Sequence, residues 1–231
     1  MTTPAFTLLP LGGCGEFGAN ATLLFAGDVE TGPAVLIDAG ARFAGPELPG
    51  VDLILPDLDF VAALGERLLG CVLTHGHEDH IAALPYLLRR RRVPIFAPDY
   101  CLRQLRARLD GFGLTPVEQT PLRPGEVAEL GPFELEPIAI SHSIPEAVAI
   151  ALRVNRALAL FSGDFRIEAD PIWGWATDTA RLSRLGDEGV ALLFADSTGA
   201  DVAGDNPGER SVRAPLREVI ETAPARVIVT T

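Results

Sequence analysis

The sequence predicts an α/β protein in which two mixed sheets lie between outer helices, a four-layer sandwich. Three observations predict it. Strand-like apolar runs fall into two groups, with helical patterns between and after them. Apolar residues make up 48% and charged residues 22% of 231 residues, a balance that fills a core and excludes disorder. The 23 glycines and 19 prolines supply frequent turns without low complexity.

The elements follow in order. Phe6–Leu11, Ala21–Ala26 and Ala34–Ile37 are apolar runs bounded by Gly12-Gly13, Gly27-Asp28 and Gly40, and read as strands. Val51–Leu55 alternates as Val-Asp-Leu-Ile-Leu, and Cys71–Thr74 is a further short strand. A helix is expected after His80, with Ile81, Leu84, Leu87 and Leu88 on one face. Arg89–Arg92 at its C-terminus suit the helix dipole, and Pro85 is tolerable only near a first turn. Pro94–Ala97 reads as a strand, Asp99–Leu109 as a helix, and Phe133–Ile140, Ala147–Val154 and Ala157–Phe161 as three strands. Thr177–Leu185 is expected to be helical, Val190–Ala195 a buried strand, Glu209–Thr222 a helix and Val227–Thr230 a last strand. That strand meets the C-terminus with nothing after it to make a turn, so the chain reads as cut within an element.

The formal net charge is −12, and every one of the 19 basic residues is arginine. A chain without lysine has no P-loop lysine, Schiff base or lysine general base. The acidity argues against nonspecific coating of nucleic acid. From Arg89 to Arg108, however, seven arginines face one acid, Asp99, a local +6 that leaves −18 for the remainder. No apolar run approaches the roughly 18–20 residues of a membrane span. The start MTTPAFTLLP lacks a basic n-region, so a cytoplasmic protein without a membrane partner is expected. Cys14, Cys71 and Cys101 form no CxxC pair and read as reduced thiols.

Gly13-Cys14-Gly15-Glu16-Phe17-Gly18 satisfies G-x-G-x-x-G, with Asp38 twenty residues further on. A dinucleotide fingerprint must open a helix. Here the strand-like Ala21-Thr-Leu-Leu-Phe25 follows, so a tight strand-to-strand turn with positive φ is the expectation.

His75-Gly-His77-Glu-Asp79-His80 places four potential metal ligands within six residues, between a strand and a helix. His75 and His77 alternate along an extended segment, so both imidazoles can point to one side. Asp79 and His80 at the helix start can reach a neighbouring point. Such a cluster suits two cations about 3.5–4 Å apart. The fourth and last histidine, His142, stands in Ser141-His142-Ser143 at a strand end. Asp164, after Phe161-Ser-Gly, ends another strand where a carboxylate can bridge two cations. Asp38, in Leu36-Ile-Asp38-Ala-Gly40, ends a strand similarly and is expected to orient ligands rather than to be one.

These residues resemble the metallo-β-lactamase superfamily. The resemblance implies that His75, His77 and His142 hold one cation. Asp79, His80 and a further histidine would hold a second, with Asp164 and a hydroxide bridging. More of the chain is similar to one branch, the ribonuclease J family of β-CASP nucleases. The matching stretches are Gly15–Gly18, Ile37–Gly40, Gly50–Asp52 with Leu55–Asp57, Thr74–His80 with Leu84–Leu87, Ser141–Glu146, Phe161–Phe165, Ala195–Thr198 and Glu209–Val212. The resemblance implies a metallo-β-lactamase αββα sandwich over 1–207 and the beginning of a truncated β-CASP domain over 208–231. It implies two divalent ions, Zn²⁺ or Mn²⁺, and RNA as partner, single-stranded with a 5′-monophosphate. It also implies a homo-oligomer acting as endonuclease or 5′–3′ exonuclease in RNA maturation, rRNA processing included.

In that reading water activated by two metals attacks phosphorus, with Asp79 and Asp164 at the reacting centre. Asp196 opens the β-CASP motif series and is the expected proton donor to the leaving oxygen; by itself Asp196-Ser-Thr reads as a cap or turn. Arg89, Arg90, Arg91, Arg92, Arg103 and Arg106 would grip RNA phosphates, or serve only as a solvated helix end. Two departures stand out: Ala82 replaces the usual glycine, and no histidine follows His142. The family's later histidines would lie beyond Thr231. Two alternatives remain at this point, another hydrolase of this fold acting on a thioester, lactone or lactam, and a non-catalytic truncated scaffold.

Overall fold

Alternate residues of a strand face opposite sides of its sheet. In the computed structural model, which describes residues 4–204 and 207–229, that alternation sorts the core into layers. The chain begins with β1 (Phe6–Gly12), β2 (Ala21–Ala26), β3 (Ala34–Ile37), β4 (Arg42–Phe43), β5 (Leu53–Ile54) and α1 (Leu58–Ala63). It continues through β6 (Leu68–Val72), α2 (Glu78–Ile81), α3 (Leu84–Arg90), β7 (Ile95–Ala97), α4 (Asp99–Gly111), β8 (Gln119–Pro121) and β9 (Ala128–Leu130). The remainder comprises β10 (Phe133–Ala139), β11 (Val148–Val154), β12 (Ala157–Phe161), α5 (Thr179–Glu188), β13 (Leu192–Phe194) and α6 (Arg213–Thr222).

The first sheet has the order β1-β2-β3-β6-β7-β8 and the second β13-β12-β11-β10-β9, while β4 and β5 form a small ribbon. Leu23, Phe25 and Leu36 face outward to Leu58, Val61, Leu84, Leu87, Leu105 and Leu109 of α1, α3 and α4. Their neighbours Leu24, Val35 and Ile37 face inward, where they meet Phe133, Leu135, Ile150 and Phe161 of the second sheet. The far face of that sheet packs Ile138, Ala149, Ala151 and Leu160 against Leu185 of α5. Four layers result, as predicted. Strands buried on both faces read as continuous apolar runs, which is why β2, β3, β11 and β12 were recognisable.

Strand direction places the chemistry. β3, β6, β7 and β8 run parallel in the first sheet. In the second, β10 and β12 both run antiparallel to β11 and so parallel to each other, with β13 parallel to β12. The segments that leave the C-terminal ends of β3, β6, β10, β12 and β13 carry Asp38, His75–His80, His142, Asp164 and Asp196. The carboxyl ends of strands are where α/β sheets bind ligands.

Several expectations need correction. Val51–Leu55 is a strand only at Leu53–Ile54, because the ribbon it forms with β4 is two residues long. The single helix after His80 is two, α2 and α3, and Pro85 occupies the first turn of the second, where its missing N–H costs nothing. Val190–Ala195 shortens to β13 and is not buried: it is an edge strand, and Leu193 is 60% exposed. Glu209–Thr222 starts as a 3₁₀ turn over Glu209–Val212 before α6. Residues 227–229 form no strand and are exposed; Thr230 and Thr231 lie outside the described residues. The expectation for Thr177–Leu185 starts early, since Asp178 caps α5 by accepting from the Arg181 N–H at 2.8 Å.

Candidate metal centre

The loop after β6 is shaped by Asp38. This residue adopts φ +56° at the end of β3, and its carboxylate turns into the buried space beneath the loop. It accepts from the Thr74 N–H at 2.8 Å, from the Thr74 hydroxyl at 2.9 Å and from His80 Nδ1 at 2.8 Å. The Thr74 hydroxyl has donated to Asp38 and so accepts from His75 Nδ1 at 3.0 Å. Each bond fixes a tautomer, leaving the Nε2 lone pairs of His75 and His80 facing the centre. Asp38 thus joins the loop backbone to the His80 ring. Gly40 completes the fit, since a Cβ there would lie 1.5 Å from the Asp79 carbonyl oxygen.

Two donor sets meet at one carboxylate. His75 Nε2 and His142 Nε2 each lie 3.1 Å from His77 Nδ1. Asp164 Oδ2 stands 3.6 Å from His142 Nε2 and 4.0 Å from His75 Nε2. On the other side, Asp164 Oδ1 is 3.2 Å from His80 Nε2, which is 3.6 Å from Asp79 Oδ2. Within each set, His75–His77–His142–Asp164 and Asp79–His80–Asp164, the ligand atoms all lie within 4.8 Å of one another, close enough to hold a metal ion. A tetrahedral ion with ligands at roughly 2.0–2.2 Å spaces its donors by roughly 3.3–3.6 Å. The residues therefore fit divalent cations, and all six ligands expected from the sequence come together.

Electrostatics supports the same use. Burial, reinforced by the neighbouring imidazoles, holds His75 well below the usual histidine range. Burial also lowers His77 and His142, although carboxylates pull the other way. These rings are neutral donors at neutral pH. Burial works against a charged His80 too, but Asp38 and Asp164 outweigh it and raise its pKa to about 10. A cation bound at its Nε2 would take the place of that proton. Burial pushes Asp164 up, but the bond from His80 and the adjacent rings win, and its pKa is lowered.

A cavity of about 480 Å³ opens from Asp79, His80 and Asp164 and runs between the Gly13–Gly18 turn and the Asp196–Asp201 segment. Gly13, Gly15 and Gly18 have φ of 78°, 76° and 77°, the strand-to-strand turn expected there. Asp196 lines this cavity; its N–H donates to Ser162 Oγ at 2.9 Å, and its carboxylate accepts from the Thr198 N–H at 2.8 Å. It combines the turn reading with a place beside the centre.

The arginines of the window have partners within the protein. Arg90 pairs with Asp59 and Arg91 with Glu66, at 2.6 and 2.7 Å. Arg89 donates to the Phe112 carbonyl, Arg92 to those of Thr115 and Pro116, and Arg106 to Gln119. These bonds tie α3 and α4 to α1, β8 and adjacent turns, and part of the local +6 is neutralised by acids distant in sequence. Arg103, 3.6 Å from Glu146 and stacked on Tyr100, is more exposed. Two residues escaped sequence reasoning: Thr74, whose only signal was its place before His75, and Asn20, which lies beside Asp79 and His80.

A family model described as a beta-lactamase superfamily domain matches residues 33–222. The chain is similar to ribonuclease J of Sinorhizobium meliloti, with 38% identity covering 96% of this chain and 40% of the relative. It is also similar to ribonuclease J of Mycobacterium tuberculosis, at 39% identity covering 99% and 40%. Ribonuclease J of Thermus thermophilus gives 36% identity over 97% and 40%. The chain thus spans about 40% of the length of these curated relatives. Among solved structures, a protein of unknown function from Enterococcus faecalis superposes with a TM-score of 0.61 at 15% identity, covering 94% of this chain and 57% of that one. Unliganded yeast PDE1 gives 0.57 at 14%, covering 83% and 74%. These two likenesses concern the fold alone.

Proposed function

Because the chain belongs to the beta-lactamase superfamily domain family, we propose that it is the metal-bearing part of a ribonuclease of the J type, hydrolysing RNA phosphodiesters as endonuclease, 5′–3′ exonuclease or both. The observation that carries this reading is the match to ribonuclease J along nearly all of this chain, with the six donors brought together beside a cavity. Two divalent cations, Zn²⁺ or Mn²⁺, would supply Lewis-acid charge for the phosphate oxygens and bring a water's pKa towards about 7. His75, His77, His142 and Asp164 would hold one, and Asp79, His80 and Asp164, with a further histidine from outside this chain, the other. The chain's own residues do the rest. Asp38 and Thr74 fix the imidazole tautomers, Asp164 aligns the two donor sets, and Asp196 at the cavity wall is the candidate for moving a proton to the leaving 3′-oxygen.

In the same reading residues 1–207 are the sandwich unit and 208–231 begin a β-CASP domain, although the family match runs on to residue 222. Single-stranded RNA with a 5′-monophosphate is the partner, Arg89, Arg90, Arg91, Arg92, Arg103 and Arg106 the candidates to meet its phosphates, and a cytoplasmic homo-oligomer acting in RNA maturation the setting. Among the described residues no helix is long and apolar enough to cross a membrane.

The test is end-labelled RNA, offered beside a thioester, a lactone and a β-lactam, to protein loaded with Zn²⁺ or Mn²⁺. We expect cleavage of RNA alone, lost by at least a hundredfold in His77→Ala and Asp164→Ala. Turnover of the esters or lactam without RNA cleavage would move the assignment to another hydrolase of this fold. Metal binding without any turnover would favour a scaffold.

A further inference from the structure

Glu146 ends the loop that carries His142, and its φ of +61° is a left-handed conformation that residues with a Cβ rarely adopt. Backbone kept in that region points to a contact that compensates it. The carboxylate leaves the second sheet's loop and reaches α4, the helix packed on the first sheet. Its Oε2 accepts from the Tyr100 N–H at 2.6 Å, and Oε1 lies 3.6 Å from Arg103 Nη2. Tyr100 stands in the first turn of α4, where N–H groups have no partner within the helix. Pro98, at the N-cap, makes no side-chain bond to them. From 46 positions away, Glu146 supplies the cap that the sequence before α4 lacks.

The metal centre gives this cap a use. Thr74 and Asp38 orient His75 and His80 through their Nδ1 atoms. Among the described residues no hydrogen bond reaches His77 Nε2 or His142 Nδ1, so the adjoining backbone has to place these two rings. Both stretches of backbone are fastened to α4. Arg108 donates to the carboxylate of Glu78, next to His77, and Tyr100 donates to Glu146, in the loop of His142. Between Tyr100 and Arg108 the helix is a stiff spacer of about 12 Å. The other end of the loop is fixed separately, since the Ser141 N–H donates to Thr177 Oγ1 at 3.0 Å. We propose that Glu146 is a positioning residue: by capping α4 it sets where His142 stands relative to His77, and with that the geometry and affinity of the ion held by His75, His77, His142 and Asp164. This rests on the metal reading made above and concerns the ion whose named donors all lie in this chain.

The experiment is addition of Co²⁺ to metal-free protein, followed by calorimetry and visible absorption, on the native chain, Glu146→Gln, Glu146→Ala and Glu146→Gly. His142→Ala marks which signal belongs to that ion, and thermal unfolding is run on every variant. Glutamine keeps an oxygen acceptor for the Tyr100 N–H, whereas glycine removes it and relieves the left-handed backbone. We expect Glu146→Ala and Glu146→Gly to weaken the ion about tenfold or more and to alter its absorption bands, and Glu146→Gln to keep both near native. Native-like binding in the alanine and glycine variants overturns the proposal. So does native-like binding in glycine alone, which would assign the loss to backbone conformation, and so does equal weakening in glutamine, which would assign it to charge. Weaker binding with unchanged bands overturns it too, because only stability would then have been lost. A native chain that takes up no Co²⁺ overturns the metal reading itself, and that is seen before any variant is compared.

Discussion

Asp38 holds φ +56°, a left-handed conformation that costs a residue with a Cβ about 1–2 kcal/mol. Three accepted hydrogen bonds, from the Thr74 N–H, the Thr74 hydroxyl and His80 Nδ1, hold it there. Asp38→Ala removes one acceptor from three buried donors. We expect a loss of about 2–4 kcal/mol in stability and of about 10–100-fold in metal affinity, read by urea unfolding and metal titration. Unchanged affinity would mean that the rings are oriented by something else. At this scale the donors themselves were legible, because four of them fall within six residues and few other uses explain such a set. Thr74 and Asn20 were not. Their roles arise from contacts made 36 and 59 positions away, and no local spacing encodes them.

The second sheet and α5 are joined by charge as well as by Leu185. Glu136 on β10 accepts from Arg181 of α5 and, at 2.9 Å, from Arg153 of β11. The bonds from Arg181, opposed by burial and aided by Arg153, lower its pKa from 4.5 to about 2. A depressed carboxylate stabilises the fold above its unfolded pKa, and that contribution disappears as pH falls through the folded value. Glu136→Gln should therefore cost about 1–3 kcal/mol at neutral pH. The difference from the native chain should close between pH 4.5 and about 2, measured by denaturation across pH.

Gly40→Ala tests the join between β3 and α2. With a Cβ 1.5 Å from the Asp79 carbonyl, Asp79 and His80 must move. We expect a loss of about 3 kcal/mol or more, with weakened metal binding. Normal unfolding and affinity would show that the loop yields. Elements with long apolar runs were readable because burial on both faces leaves one composition. β8 and β9 were missed because three-residue edge strands carry no period to count, and α1 because its six residues are held by packing rather than propensity.

Taken whole, the molecule has an acidic cavity, although the proposed substrate is a polyanion. Glu16, Asp79, Asp164, Asp196 and Asp201 line it, and the chain carries −12. On the proposed reading, divalent cations would be needed to bind RNA as well as to cleave it. Chelation should weaken RNA affinity by about tenfold or more at low salt, in a filter-binding or anisotropy assay. RNA affinity that survives chelation would place the contacts elsewhere, on the arginines of α3 and α4.

One further consequence concerns the order in which the molecule can form. His77 comes from the first sheet and its neighbour His142, 65 residues later, from the second. The carboxylate they share with His80, Asp164, comes later still. A nascent chain that has emerged only as far as β11 would offer a dissolved ion four imidazoles and Asp79, but no bridging Asp164. The ion therefore cannot nucleate the first sheet alone; it can only close a loop that apolar docking of the two sheets has already drawn nearly shut. Metal should accordingly leave the refolding rate almost unchanged and act on unfolding, slowing it as the last latch to open.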